Sequence, residues 1–172
     1  MPIRERKLPF LDAGVAQVAF VVERLEPVVE AYWQKFGQGP WHFYTYAKPF
    51  VPRMTRHGKP ADYAMRVALG YFGPTRIELI QPLSGDTVYS DFVRAHGYGV
   101  QHLGVLVEDM AAALRLAEAA GYRCTMDGAG FGPDGDGHYA YLDTEPELGT
   151  TFELIQRPKR RAPPEKIYPP EP

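Results

Sequence analysis

The chain has 172 residues, 45% of them apolar, and its 19 Lys and Arg against 21 Asp and Glu leave a net charge of 19 − 21 = −2. That length suits one domain or two small fused modules with a core of useful size, and the near-neutral balance offers no basic field to nucleic acid or an anionic membrane. The one cysteine, Cys124, cannot form an internal disulfide, the opening MPIRERKLPFLDAG lacks the apolar stretch of a signal peptide, and no apolar run nears the ~20 residues of a spanning helix, so a cytoplasmic protein is expected.

Residues 1–13, with Pro2 and Pro9 among charges, read as an N-terminal arm. In the module 14–83, a strand at 15–22 leads to a helix over 25–36 that glycine closes at Gly37, then strands at 40–47, 62–72 and 75–82. KPFVPRMTRHGKPAD, between the second and third of these strands, reads as a long loop. A linker at 84–98 carries a helix over 87–96. The module 99–157 follows with a strand at 100–107, a helix over 109–120, and strands at 122–127, 137–143 and 149–156. Its glycine-rich AGFGPDGDG, from Ala129, reads as a mobile loop and not a phosphate cradle, for it lacks the strand-to-helix setting such a cradle needs. The tail 158–172 is rich in proline and charge and reads as an extended arm packed on the body or on a partner subunit. Lys159, Arg160 and Arg161 within it read as a solvated face.

The two modules echo each other. Gln17 followed by VAFVV and a helical stretch matches His102 followed by LGVLV and a helical stretch; IELIQ at 77–81 matches FELIQ at 152–156. The offsets nearly agree, 102 − 17 = 85 against 153 − 78 = 75, and the longer first-module loop absorbs the difference. Duplication of one βαβββ unit accounts for both echoes, and each unit alone would leave a sheet face uncovered that pairing buries.

Gln17, Glu78, His102 and Glu153 fall at equivalent places in this repeat, on the first and last strands of each unit. Singly, each has an ordinary reading: an edge glutamine, solvent-facing glutamates, a satisfied core histidine. Alternation puts Gln17 with Ala19 and Val21 on one face, and Glu78 with Ile80 on one face. If those faces point inward, two carboxylates are buried together with no Lys or Arg expected on the same faces, a cost of several kcal/mol per charge. A divalent cation would relieve it, taking carboxylate, imidazole and amide ligands.

With these residues the sequence resembles the vicinal-oxygen-chelate superfamily of glyoxalases, methylmalonyl-CoA epimerases, extradiol dioxygenases and bleomycin or fosfomycin resistance proteins, over about residues 14–157. The stretch RIELIQPLSGDTVYSDFVRAHGYGVQHLGVLVEDM is similar to the epimerase-type segment, with E-L-x-x-P-L, a helix with Phe before Gly, and G-x-x-H before a strand. The resemblance implies an α+β fold: two βαβββ modules forming a cupped, barrel-like mixed sheet with flanking helices. It also implies one divalent ion (Zn, Ni, Co, Mn or Fe(II)) on Gln17, Glu78, His102 and Glu153.

That ligand set resembles the lactoylglutathione lyase and epimerase sets more than the two-His, one-Glu set of oxygenases and fosfomycin-type transferases. The implied chemistry is proton transfer next to a carbonyl of a small molecule chelated by the metal, with Glu78 and Glu153 as catalytic carboxylates. Three readings stay open: an isomerase or epimerase, a lactoylglutathione lyase-type glyoxalase, and a drug-binding resistance protein without catalysis. Val21 and Pro82 stand where the lyase has a cationic residue and Asn, and only Asp62 offers an acid on the strand where the epimerase has its second carboxylate. Tyr44, Tyr46, Tyr71, Phe131, Tyr139 and Tyr141 are candidates to line the cup around the substrate, core packing being the ordinary alternative. His42, His57, His96 and His138 have no partner spacing and read as structural or surface residues. Family relatives commonly pair, so a homodimer is expected.

Overall fold

Alternation along the first strand shows how the chain is organised. In β1 (Gln17–Val21) the residues Gln17, Ala19 and Val21 are buried on one face, while Val18 and Phe20 pack on the other with α1 (Leu25–Phe36). The structure, a computed structural model, describes residues 8–170. The further elements are β2 (Trp41–Tyr46), β3 (Arg53–Arg56), β4 (Lys59–Pro60), β5 (Ala64–Phe72), β6 (Thr75–Ser84) and α2 (Val88–His96). Then come β7 (Gly99–Leu106), α3 (Met110–Ala119), β8 (Cys124–Phe131), β9 (Gly137–Leu142), α4 (Glu145–Leu148), β10 (Thr151–Gln156) and β11 (Lys166–Tyr168).

All eleven strands join one sheet in the order β11-β2-β5-β6-β1-β7-β10-β9-β8-β3-β4, curled into a half-barrel. Each half repeats one pattern: β1 runs parallel to β6 and β7 parallel to β10, with antiparallel neighbours beyond. The seam is the antiparallel pair β1–β7. On the outer face α1 covers Trp41, Phe43, Ala68, Ile77 and Leu79, and α3 covers Val105, Ala140, Leu142 and Leu154. The inner face carries a third cluster in which Tyr44, Val67 and Ile80 of one half meet Phe131, Tyr139 and Tyr141 of the other, with Tyr89 of α2. Burial of apolar area, at about 25 cal/mol per Å2, stabilises each half through its outer layer and joins the two halves through the inner one.

The ELIQ echo has a local cause. The Gln81 side-chain oxygen accepts from Leu25 N at 3.1 Å, and the Gln156 side-chain oxygen accepts from Met110 N at 2.8 Å, so each glutamine caps the helix that opens its own half.

Three expectations are corrected. The stretch 48–62 is not one loop: it contains β3 and β4, joined through His57 and Gly58 at φ 50 and 73°, and β3 pairs with β8 of the other half. Two positive φ values are what a tight hairpin turn needs, and the short strands, with Pro52 before β3 and Pro60 ending β4, show no legible alternation. The glycine-rich stretch is not all loop either, since β8 continues to Phe131. Its acidic turn is tied down: Asp134 pairs with Arg160, and Asp136 accepts from Lys159 N at 3.2 Å. The tail accordingly packs on the body, ending in β11 against β2, and of its basic run Arg160 is ion-paired instead of merely solvated.

Candidate metal centre

Four strands, β1, β6, β7 and β10, bring their polar residues together on the inner face at the seam. Parallel pairing sets Glu78 beside Ala19 and Glu153 beside Gly104, and the seam sets His102 opposite Ala19 and Gln17 opposite Gly104. The result brings Gln17, Glu78, His102 and Glu153 together. Ligand atoms of Glu78, His102 and Glu153 lie within 4.8 Å of one another. His102 Nε2 is 3.1 Å from Glu153 Oε2 and 3.6 Å from Glu78 Oε2. His102 is fully buried, and the side chains of Glu78 and Glu153 are only 12% and 6% exposed.

Gly104 keeps this space open. A Cβ there would lie 2.7 Å from Ile155, 2.9 Å from Gln17 Cβ and 3.2 Å from the Glu153 carboxylate. A β-bulge does the rest: Ala19 faces His102 but Phe20 faces Val100, leaving Gln101 as an extra residue. Adjacent side chains thereby meet, and Gln101 Oε1 lies 2.6 Å from His102 Nδ1. With Nδ1–H donated to Gln101, Nε2 is the ring nitrogen that faces the carboxylates and would offer its lone pair to a cation held between them, the usual way a ligand histidine is oriented.

Arg76 overturns the expectation that no cation shares these faces. It precedes Glu78 by two residues on β6, is only 5% exposed, and its Nε donates to Gln17 Oε1 at 2.7 Å. The Gln17 amide nitrogen therefore points inward and donates to Glu78 and to Glu153, each at 2.9 Å, while lying 3.3 Å from His102 Nε2. A positively polarised N–H pair thus sits amid the three candidate ligands. Two carboxylates and an imidazole around a point that attracts positive polarity fit a divalent cation, and the residues able to hold one are Glu78, His102 and Glu153. Gln17 would add its oxygen only by turning its amide away from Arg76.

Burial raises the Glu78 pKa, with His102 opposing and Glu153 reinforcing. Burial lowers that of His102, but Glu153 and Glu78 outweigh it and carry the imidazole up to about 9. In the metal-free protein a proton thus occupies the place a cation would take.

A recess of about 680 Å3, open mouth included, reaches this cluster. Tyr44, Tyr46, Phe131, Tyr139 and Tyr141 all line it. Tyr71 does not: it shares the inner face of β5 with Met65, Val67 and Leu69, but near the strand's end it is 50% exposed and lies beyond the recess. None of His42, His57, His96 and His138 joins the cluster; His96 lies 2.6 Å from Glu145 and His138 2.8 Å from Asp127. Missed in the sequence were Arg76, Gln101, Tyr89, Arg157 and Arg161. The spacing of Arg76 from Glu78 was the available signal for the first; the bulge at Gln101, the packing of α2 over the inner face and the path of the tail left none for the others.

The sequence matches the family model of the glyoxalase/bleomycin resistance protein/dioxygenase superfamily over residues 16–141. The chain belongs to that superfamily. Its members typically hold a divalent metal, and the matched span includes Glu78 and His102 but stops short of Glu153. No curated protein matches the chain. Among solved structures, the chain is similar to a methylmalonyl-CoA epimerase from Mycobacterium tuberculosis at 22% identity, covering 87% of this chain and 89% of that one, with TM-score 0.60. It is similar to the Streptomyces coelicolor methylmalonyl-CoA epimerase at 19% identity, 87% and 97% coverage and TM-score 0.62. A hypothetical protein from Bacillus halodurans C-125 aligns at 15% identity, 86% and 96% coverage and TM-score 0.62. At these identities the likeness is one of fold.

Proposed function

We propose that the chain is a metal-dependent isomerase or epimerase that moves a proton next to a carbonyl group of a small molecule. One observation carries this reading: two buried carboxylates and an oriented imidazole, one carboxylate from the last strand of each half, converge at the end of an aromatic-lined recess. When bound to Glu78, His102 and Glu153, a divalent cation supplies Lewis-acid polarisation of substrate oxygens and acidifies the neighbouring C–H.

The chain's own residues would do the remainder. Glu78 and Glu153 stand in the recess as proton acceptors and donors, and burial strengthens Glu78 as a base. Tyr46, Tyr89, Tyr139 and Tyr141 are not available as bases: burial first, then the nearby Glu charges or other tyrosines, raises all four phenols. They keep their protons at neutral pH, and their rings keep water from the reacting carbon. Gln101 holds the His102 ring, and Arg76 holds the Gln17 amide.

The test is solvent deuterium incorporation, with the metal-loaded protein, across 2-substituted acyl thioesters and 2-oxo acids. Exchange at the carbon next to the carbonyl supports the reading. Oxygen consumption on turnover, or catalysis that survives Glu153→Gln with the metal retained, contradicts it. A lactoylglutathione lyase-type activity is the second reading, favoured by the Gln, Glu, His, Glu set, and hemithioacetal turnover would select it.

A further inference from the structure

The segment after β10 does not leave the site. It crosses the mouth of the recess, where Arg157, Pro158, Arg161 and Ala162 join the lining. Both ends of the crossing are anchored. At the near end Arg160 pairs with Asp134, with its Nε at 2.8 Å, and Lys159 N donates to Asp136. At the far end Glu165 accepts from Thr45 N and Oγ1 at 2.9 and 3.0 Å, Glu165 N donates to Phe43 O at 2.9 Å, and β11 pairs with β2. This is a built wall, for its residues are held from both sides by backbone and charged contacts.

Charge on this wall is uncompensated. Arg160 has its aspartate, but among the described residues neither Arg157 nor Arg161 forms an ion pair. Partial burial first, then the like charge of the deeper Arg76, lower the Arg157 pKa; Tyr71 opposes them and Arg161 adds to them. Beside Arg157 and Arg161, Tyr44 is 5% exposed; Arg161 reaches its hydroxyl oxygen, while the O–H itself meets no acceptor. Burial raises that phenol against the pull of Arg161, so it remains an O–H donor. Unpaired guanidinium groups and an orphan buried donor at one mouth make a binding surface for an anion.

We infer that Arg157 and Arg161, with the Tyr44 hydroxyl, bind an anionic group of the substrate, a carboxylate or a phosphate, at the rim of the recess. This rests on the reading of the recess as the substrate site. The ligand is an organic anion whose apolar body lies along Tyr46, Phe50 and Phe131. The anion belongs either to the small substrate itself or to the phosphate of an attached carrier.

Calorimetry on the full chain, with and without bound zinc, separates these cases using phenylsuccinate, phenyl phosphate and free coenzyme A as probes. At least one probe is expected to bind, more weakly as salt rises. The double variant Arg157→Ala/Arg161→Ala is expected to weaken it by about tenfold or more, with zinc affinity unchanged and the two Lys replacements retaining part of the binding. Loss confined to phenylsuccinate assigns a carboxylate, and loss confined to phenyl phosphate and coenzyme A assigns a phosphate; both support the inference. Unchanged probe affinity in the folded double variant overturns it, as does failure of all three probes to bind the wild type. Failure of zinc to bind, with anion binding intact, would instead count against the proposed metal chemistry alone.

Discussion

Gln17 is held by what surrounds it more than by its own chemistry. Arg76 donates to its oxygen, so its nitrogen is what the two carboxylates receive. Glu153→Ala should therefore weaken metal binding by well over ~100-fold, while Gln17→Ala should fall within the about 10- to 100-fold range of groups that only orient ligands. Competition against a chelating dye reads both, and equal losses would mean that Gln17 ligates directly. Gly104→Ala is a second residue-level test. The added methyl meets Gln17 and Ile155 on a face with no spare room, so a loss of about 1–3 kcal/mol is expected from overpacking. A melting temperature unchanged from the wild type would contradict it. The sequence displayed the repeat-related residues because strand alternation is local, but it could not show amide orientation, which depends on Arg76 of the neighbouring β6 being paired with Gln17.

At the scale of elements, β3 straps one half of the sheet to the other, with Asp127 as its clasp. The carboxylate on β8 accepts from Thr55 Oγ1 of β3 and lies 2.8 Å from His138 Nε2 of β9. Burial alone would raise the Asp127 pKa; the hydrogen bonds from His138 and Thr55 outweigh it and bring it below the ordinary 3.8. A carboxyl with a lowered folded pKa stabilises the fold above its unfolded value and loses that contribution as pH falls through the folded one. Asp127→Asn should thus cost about 1–3 kcal/mol near neutral pH and flatten the loss of stability below pH ~4. Denaturant melts from pH 7 to 3 check this, and parallel pH profiles for the two proteins would contradict it. Most of the regular elements were legible to within a few residues, since period and glycine caps mark them: the helix over 25–36 is α1 as expected. β3 and β4 were not, because four and two residues are too short to display a period, Pro52 precedes β3 and Pro60 ends β4.

At the scale of the whole molecule, two similar halves build one site, and the tail joins the first half to the second across its mouth. A proline-rich, charged segment has no pattern from which its path could be read, so its place beside β2 depends on contacts distant in sequence. We propose that the chain pairs as a two-fold dimer, with apolar side chains such as Val100 and Leu106 of β7, at 51% and 39% exposure, available to an interface. Sedimentation at about 50 μM, ample for a micromolar association, should show twice the monomer mass; a monomer at that concentration would contradict the pairing. Among the described residues no helix is long and apolar enough to cross a membrane.

One cation held by Glu78, His102 and Glu153 is the centre of the proposed chemistry. Metal titration of the chelator-stripped chain, followed by calorimetry at fixed pH, tests that directly. One divalent ion per chain is predicted, with proton release on binding because His102 is raised to about 9 and must give up its proton, and with affinity collapsing in Glu153→Ala. Saturating metal that leaves no ion bound to the wild-type chain, or an affinity that Glu153→Ala does not change, would contradict it.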